Sequence, residues 1–473
     1  MKNDSPYDLI IIGGGSAGLT AADFAVKFGA RVAIVEKHRI GGDCTWTGCI
    51  PSKTLLKTAR VVHEMRSADR FGLSSFEPQI DLKAIMAHVH AVVQDIYQDE
   101  SPEALRTSGI DVFLGGARFI DSHTLAVGET TLKARNFLIA TGAHPFTPPI
   151  EGIEDVEYLT YEQIWNMDSL PHHLIVLGAG PVGCEMAQAF RRLGAEVTLI
   201  EEQDRILTND DPAASQALSQ VLEEEGINLL CGVKIERTWQ DDAGIHLSSG
   251  EDEFVGDRLL VAVGRHPNVD HLGLKKAGVL YSSSGIQTDH RLRTSQRHIF
   301  AAGDVTGGYQ FTHYAGWQAA MAVRNALLPG TSKGVTDLVP WATFTDPEVA
   351  QAGLTEPQAR DQFGSDVSTY EWPLDKIDRS HTEGDERGFM KLVYKKNGTL
   401  LGVTIVARHA GEMIHEWIVA LEQGLKVGDL SNALHIYPTY STASMQASAA
   451  IRVDQLLSSV PWRILRSLAR LKR

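Results

Sequence analysis

Two stretches of the chain share one pattern of apolar and polar positions. From Asp8, DLIIIGGGSAGLTAADFAVKFGARVAIVEK sets an unbroken apolar run before a glycine-rich turn, then a helical stretch, a glycine, and a second apolar run ending in glutamate. From His173, HLIVLGAGPVGCEMAQAFRRLGAEVTLIEE repeats that order without a gap. Each copy predicts a buried strand, a turn, a helix and a second strand, which is the start of a nucleotide-binding βαβ fold. Gly13, Gly15 and Gly18 form the first G-x-G-x-x-G turn, and Gly178, Gly180 and Gly183 the second. Glycine there serves the tight turn, the close approach of backbone to a diphosphate, and the packing of helix on strand. Glu36 and Glu201 fall where a carboxylate can accept from ribose hydroxyls, so two dinucleotides are expected.

The pattern changes at two seams and then stops. ATGAHPFTPPIEG, with Thr141 and Gly142, ends a strand and enters a proline-rich crossing. VAVGRHPNVD, with Gly264, is a comparable exit from the second unit, and in HIFAAGDVTGG an apolar strand ends at Gly303-Asp304 before a helix beginning near Phe311. From about Asp337, segments such as GFMKLVY and LLGVTIVA read as alternating strands, followed by helical stretches, an α+β pattern.

A chain of 473 residues exceeds a single core and divides into about three domains. Its 44 basic and 59 acidic residues leave a net charge of -15, which repels phosphate backbones and excludes nucleic acid as the main partner. Four cysteines are too few for a disulfide framework and point to a reducing, cytoplasmic setting. The opening residues show no signal peptide, and no run is long and apolar enough to span a membrane.

Two of those cysteines lie in GGDCTWTGCIPSK, residues 41–53. The pair reads as a reactive centre, a metal clamp or two neighbouring thiols. A zinc site needs about four ligands, and the other cysteines, Cys184 and Cys231, are isolated and read as core thiols, so no metal site is expected. On a regular helix Cys44 and Cys49 would be separated by about 7.5 Å of rise, beyond the usual ~4.4–6.8 Å Cα separation of a disulfide. A bridge therefore needs a bent backbone, which Gly48 permits. Pro51 suits a helix's first turn, which places Cys49 at the positive end of the dipole, where a thiol ionises more readily.

Together the glycine repeat, GGDCTWTGCIPSK, the ATG segment, VGRHPN, AAGD and FTDPEVAQAGLTE resemble the class I pyridine nucleotide-disulfide oxidoreductases over nearly the whole chain. The resemblance implies an α/β fold of two Rossmann-like dinucleotide-binding domains and a C-terminal α+β dimerisation domain. FAD is expected in residues 1–150 and 276–336, a nicotinamide dinucleotide in 151–275, and a homodimer through 337–473. It further implies that Glu36, Gly42, Thr141, Gly142 and Asp304 serve FAD, that Gly264 and Glu201 serve the nicotinamide dinucleotide, and that Lys53 pairs with Glu185 near the flavin. In the implied relay, hydride enters the flavin from the nicotinamide and opens a Cys44–Cys49 bridge. Cys49 is then the flavin-side thiolate, and Cys44 attacks the acceptor. The acidic pair Glu201-Glu202 favours NAD(H), while Arg205 leaves NADP(H) open.

The chain departs from the family at HIYPTYST, residues 435–442. Disulfide-reducing relatives carry a histidine and a glutamate where this chain has Tyr437 and Thr442. A tyrosine with a pKa near ~10 is a poor acid/base at neutral pH, and His435 sits at a position that is not catalytic in relatives. This pattern is closer to mercuric reductase, with Tyr437 and Tyr440 suiting its acceptor site. It predicts a metal ion such as Hg(II), a quinone or another small electrophile as acceptor. A dihydrolipoamide dehydrogenase-type dithiol reductase and a flavoprotein redox sensor or membrane-partner module are the rival readings. The tail PWRILRSLARLKR, residues 461–473, sets leucines opposite arginines and reads as a packed final helix or a peripheral membrane contact.

Overall fold

The computed structural model describes residues 6–458. The basic tail at 461–473 lies outside the described residues. In chain order the α-helices up to residue 327 are α1 (Ser16–Lys27), α2 (Gly42–Trp46), α3 (Cys49–Arg66), α4 (Leu82–Glu100), α5 (Pro102–Thr107), α6 (Pro181–Leu193), α7 (Pro212–Glu224), α8 (Leu274–Ala277) and α9 (Thr312–Leu327).

Both copies of the repeat fold as parallel βαβ units. Tyr7–Ile12 pairs with Val32–Glu36 on one side and with Thr130–Ile139 on the other, all parallel. Asp111–Leu114 extends one edge, and Ile299–Ala301 joins beyond Thr130–Ile139. In the second unit His173–Leu177 lies between Glu196–Glu201 and Arg258–Val261, again parallel. Unbroken apolar runs suit these strands because both faces are covered. Leu9 and Ile11 pack with Ala21 and Ala25 of α1 and Ala319 and Ala322 of α9. Ile10 and Ile12 turn the other way, toward Phe119 and Phe137, as the two-residue period of a strand requires.

The seams run side by side. Ala143–Pro145 pairs antiparallel with Arg265–Pro267, so the entry to the second unit and its exit form one two-stranded strap. A three-stranded antiparallel meander, Arg237–Asp241, Gly244–Ser249 and Asp252–Gly256, covers one face of the second sheet through Ile245 and Leu247.

The C-terminal sheet is antiparallel, in the order Trp341–Thr343, Glu348–Gly353, Leu400–Ala407, Phe389–Lys395, Val367–Pro373. Its two central strands are not half-exposed, as alternation predicts: Phe389–Tyr394 is buried throughout. Met390, Leu392 and Ile405 pack beneath Trp417, Ala443 and Ala447, while Phe389 and Val406 join the core shared with α3 and α6. Cys184 is fully buried, as expected. Cys231 departs from expectation. It is half-buried and lines a cavity of about 300 Å³ beside Arg205 and Ser215, because among the described residues Asn228–Cys231 is the edge strand of its sheet.

Candidate active site

The two glycine turns build the same cradle. A Cβ on Gly13 would lie 2.2 Å from the Ala140 carbonyl oxygen, and one on Gly18 would lie 1.9 Å from that of Gly13. In the second copy a Cβ on Gly183 would lie 1.9 Å from the Gly178 carbonyl oxygen. Helices α1 and α6 therefore start on bare backbone. Gly15 and Gly180 give no side-chain cap, and neither first turn holds an acid. Uncapped N–H groups at a positive helix end suit a diphosphate. Gly42, with φ +63°, crosses closely over Gly15, where a Cβ would meet the Gly15 Cα at 2.6 Å.

The acids repeat as well. Glu36 Oε2 accepts from Gly14 N at 2.7 Å and Oε1 from His38 N at 2.7 Å. Glu201 Oε2 accepts from Ala179 N at 2.7 Å and Oε1 from Gln203 N at 2.9 Å. Each carboxylate stiffens its own turn and keeps lone pairs for ribose hydroxyls. Thr141 Oγ1 donates to the Asn268 carbonyl at 2.7 Å, and Asn268 Nδ2 donates back to Thr141 O at 2.8 Å, which locks the two seams together. Gly142 (φ +69°) and Gly264 (φ +131°) sit on that strap in conformations that favour glycine. Bare cradles and pre-placed acids fit two dinucleotides, one at each copy.

Cys44 lies on the short helix α2 and Cys49 opens α3, with Gly48 between them in a conformation outside the helix. That break supplies the bend that a regular helix lacks. Both sulfurs are free thiols, and each is the leading influence on the other's ionisation. Cys49 Sγ also lies 3.3 Å from Thr312 Oγ1, in the first turn of α9. Helix α9 has no side-chain cap and no acid in its first turn, so its positive end faces the redox pair. The Cys44 hydrogen bond, followed by the Thr312 contact and the Lys53 charge, outweighs burial and brings the Cys49 thiol down to about 6. Hydrogen bonding to that thiolate, together with burial, pushes the Cys44 thiol up.

Lys53 follows one turn along α3. Its Nζ donates to Glu185 Oε1 at 3.1 Å and Oε2 at 2.9 Å, across the contact between α3 and α6. The packing of Leu55 and Ala59 with Met186, Ala189 and Phe190 sets that distance. Phe344 completes the pair from the C-terminal domain. Its N–H donates to Glu185 Oε1 at 2.9 Å, and its ring lies 4.5 Å from the Lys53 ammonium. Sequence reasoning did not single out Phe344, which sits in the quoted FTDPEVAQAGLTE, or Thr312, which opens the helix it placed near Phe311.

It also did not single out a cation at the strap. Arg265 Nη1 donates to Asp304 Oδ2 at 2.5 Å, its Nη2 to Asp43 Oδ2, and its Nε to Tyr161 Oη at 3.0 Å. Tyr161 Oη in turn donates to Asp43 Oδ2 at 3.1 Å.

The C-terminal residues do not join this cluster within the chain. Tyr437 is 66% exposed, beside Ile436 at 81% and Leu434 at 100%, and it donates to Asp378 Oδ2 at 2.5 Å. That hydrogen bond raises its pKa. Both nitrogens of His435 are engaged, Nε2 with Glu416 Oε2 at 2.8 Å and Nδ1 with the Ala433 carbonyl at 3.2 Å. Tyr440, grouped with Tyr437 by its sequence position, is instead core: it is buried edge-on against His409. Thr442, at the family's glutamate position, begins the helix Thr442–Ser458. Among the described residues no cluster of three or more His, Cys, Asp or Glu side chains is arranged to hold a metal ion, and no helix is long and apolar enough to cross a membrane.

Comparison with known proteins agrees with this geometry. Residues 7–319 match the family described as pyridine nucleotide-disulphide oxidoreductase, and residues 339–448 match the dimerisation domain of that family. A mercuric reductase of Lysinibacillus sphaericus is 36% identical over 96% of this chain and 84% of its own length. A dihydrolipoyl dehydrogenase of Thermus scotoductus is 36% identical over 94% of this chain and 97% of its own. Among solved structures, a Cu(II) complex of the HOCl-induced flavoprotein disulfide reductase RclA from Escherichia coli superposes with a TM-score of 0.86 at 29% identity, covering 94% of this chain and 100% of that one. With two uncapped cradles, a dithiol between them and this likeness along its length, the chain belongs to the pyridine nucleotide-disulphide oxidoreductases, enzymes built for FAD and a nicotinamide cofactor.

Proposed function

We propose that this enzyme takes electrons from NAD(H) and passes them through the Cys44–Cys49 couple to a small thiophilic acceptor, with a metal ion such as Hg(II) or Cu(II) the favoured class. The observation that carries the reading is Cys49, held toward thiolate by Cys44 and Thr312 at the open end of α9, combined with a tyrosine where a disulfide substrate needs an imidazole. FAD, when bound, supplies two-electron transfer between the nicotinamide and this couple. The first cradle, with Gly13, Gly15, Gly18, Gly42, Glu36, Thr141, Gly142 and Asp304, holds FAD. The second, with Gly178, Gly180, Gly183, Glu201 and Gly264, holds the nicotinamide dinucleotide. Strand pairing supports a domain division of 1–150 with 276–336, 151–275 and 337–473: Ile299–Ala301 joins the first sheet, Arg258–Val261 the second, and the strands from Trp341 to Ala407 form the antiparallel third.

Lys53 places a cation within reach of Cys49, and Glu185 with Phe344 fixes where that cation sits. Cys44 donates to the Cys49 thiolate, so the proton stays on Cys44 until that residue attacks. A disulfide acceptor releases a thiolate that must be protonated. Tyr437 is a weaker acid than a free phenol, because Asp378 favours the neutral form. His435 has no nitrogen left for this task. A metal ion demands no such proton. Tyr437 lies on an exposed strip with Leu434 and Ile436, which supports its acting across a homodimer interface.

For the nicotinamide, Glu201 and Glu202 disfavour a 2′-phosphate. Arg205 does not relieve this: it donates to Leu207 O at 3.1 Å, Ser215 Oγ at 2.6 Å and Thr208 O at 2.6 Å. A reducing, cytoplasmic setting suits the free thiols. The names of relatives support both metal and disulfide acceptors, and the 36% identical dihydrolipoyl dehydrogenase favours the second. NADH oxidation by the purified enzyme against Hg(II), Cu(II), a quinone, lipoamide and glutathione disulfide decides between them. Multiple turnovers with a metal ion and little lipoamide reduction are expected. Rapid lipoamide reduction by the unmodified enzyme would overturn the reading. The double variant Tyr437→His with Thr442→Glu is expected to raise lipoamide turnover by about 10²-fold, the usual worth of a positioned acid/base.

A further inference from the structure

The short helix that carries Cys44 is gripped at both ends by residues distant in sequence. At its start Asp43 receives Arg265 and Tyr161. At its end the Thr47 carbonyl accepts from Trp165 Nε1 at 2.9 Å. Tyr161 and Trp165 lie four residues apart and are tied to each other, since Trp165 Nε1 also donates to the Tyr161 carbonyl at 2.6 Å. Between these grips Thr45 Oγ1 donates to Glu100 Oε2 at 2.8 Å and Trp46 Nε1 to the Ile40 carbonyl at 2.7 Å. A five-residue helix has too few internal hydrogen bonds to fix its own axis, so these outside contacts decide where Cys44 sits. Arg265 is the hub: one guanidinium joins α2 through Asp43, the Gly303–Thr306 turn through Asp304, and the Tyr161 segment. It lies on the strap where the two seams pair.

We infer that Arg265 is a positioning residue of the dithiol couple: by clamping Asp43 it aims the Cys44 thiol at Cys49 and so stabilises the reduced pair. The inference rests on the relay reading above. The chemistry is a balanced exchange. Two electrons and two protons convert the Cys44–Cys49 disulfide to one thiol and one thiolate with its released proton, or to two thiols, and glutathione supplies the electrons by forming its own disulfide. Anything that strengthens the Cys44 hydrogen bond to the Cys49 thiolate favours the reduced side. Removing the clamp frees α2, weakens that bond and favours the disulfide. It also leaves Asp43 and Asp304, both now without their cation, to compete with Lys53 for the local field.

The test is the equilibrium of the purified, flavin-containing enzyme with glutathione redox buffers, read by alkylation and peptide mass spectrometry of the Cys44 and Cys49 peptides. For Arg265→Met the equilibrium constant is expected to move about tenfold toward the disulfide, which corresponds to about 30 mV. Tyr161→Phe removes one of the Asp43 contacts and is expected to move it in the same direction by less. Arg265→Lys keeps the charge and is expected to recover most of the shift. A purely structural Arg265 would lower flavin content and thermal stability and leave this constant within about twofold of the parent, which would overturn the inference. Failure of the relay reading is separate: it appears as unchanged acceptor turnover in Cys44→Ser or Cys49→Ser, whatever Arg265 does. If Arg265→Met does not fold, Tyr161→Phe and Arg265→Lys still carry the comparison. A constant in Tyr161→Phe equal to the parent's would equally refute the clamp on Asp43, whereas Arg265→Lys is expected to stay close to the parent.

Discussion

Replacing Cys44 by alanine isolates the hydrogen bond on which Cys49 depends. Cys44 donation is the largest influence holding the Cys49 thiol down to about 6; Thr312 and Lys53 add to it, and burial and Glu185 oppose it. A hydrogen bond to a charged group contributes about 1.5–3 kcal/mol, and one pKa unit corresponds to about 1.4 kcal/mol. Its loss should therefore raise the Cys49 pKa by about 1–2 units, leaving it just below the ordinary thiol value of about 8.5 because Thr312 and Lys53 remain. The sign on stability follows. The folded-state pKa is depressed, so the thiolate stabilises the fold fully above the unfolded value of about 8.5 and loses that contribution as pH falls through about 6. In Cys44→Ala the folded-state value moves back toward the unfolded one, so the variant's stability deficit relative to the parent grows as pH rises between those limits. Ultraviolet thiolate absorbance against pH in the reduced protein measures the pKa, and urea midpoints at either end of the window measure the linkage. Cys184 is fully buried and burial holds the Cys231 thiol up, so neither obscures the titration. An apparent pKa still near 6 in Cys44→Ala would refute the assignment and leave the end of α9 as the dominant influence.

Lys53→Met leaves the Glu185 side chain, only 5% exposed, with the Phe344 N–H as its remaining donor. It is expected to lose about 1–3 kcal/mol in urea denaturation and to be reduced by NADH about tenfold more slowly in anaerobic stopped flow. Gly183→Ala forces a Cβ to 1.9 Å from the Gly178 carbonyl, so KM for NADH should rise by about tenfold or more while flavin content, which we assign to the separate first cradle, stays at the parent level. Glu202→Arg exchanges repulsion for attraction toward a 2′-phosphate and should shift kcat/KM toward NADPH by about tenfold at low salt, less at high salt; no shift would place the phosphate elsewhere.

The local half of this protein is readable in its sequence. An apolar run that must be buried on both faces, a glycine where a Cβ would strike a carbonyl, and a helix of fixed period are set by neighbours in the chain, so both βαβ units and the break at Gly48 could be placed from the letters alone. Lys53 and Glu185 are 132 positions apart, and only the family likeness suggested their pairing; the contact of α3 with α6 creates it. Asp43 and Arg265 are 222 apart, each inside a quoted motif, and nothing in either motif marks the other as its partner. Packing also decided which of two nearby tyrosines is exposed: Tyr437 reaches Asp378, whereas Tyr440 is held in the core beneath His409. Backbone geometry and periodicity act over a few residues, so sequence determines them directly. Which charges meet depends on how whole helices and sheets pack, and only the tertiary structure sets that.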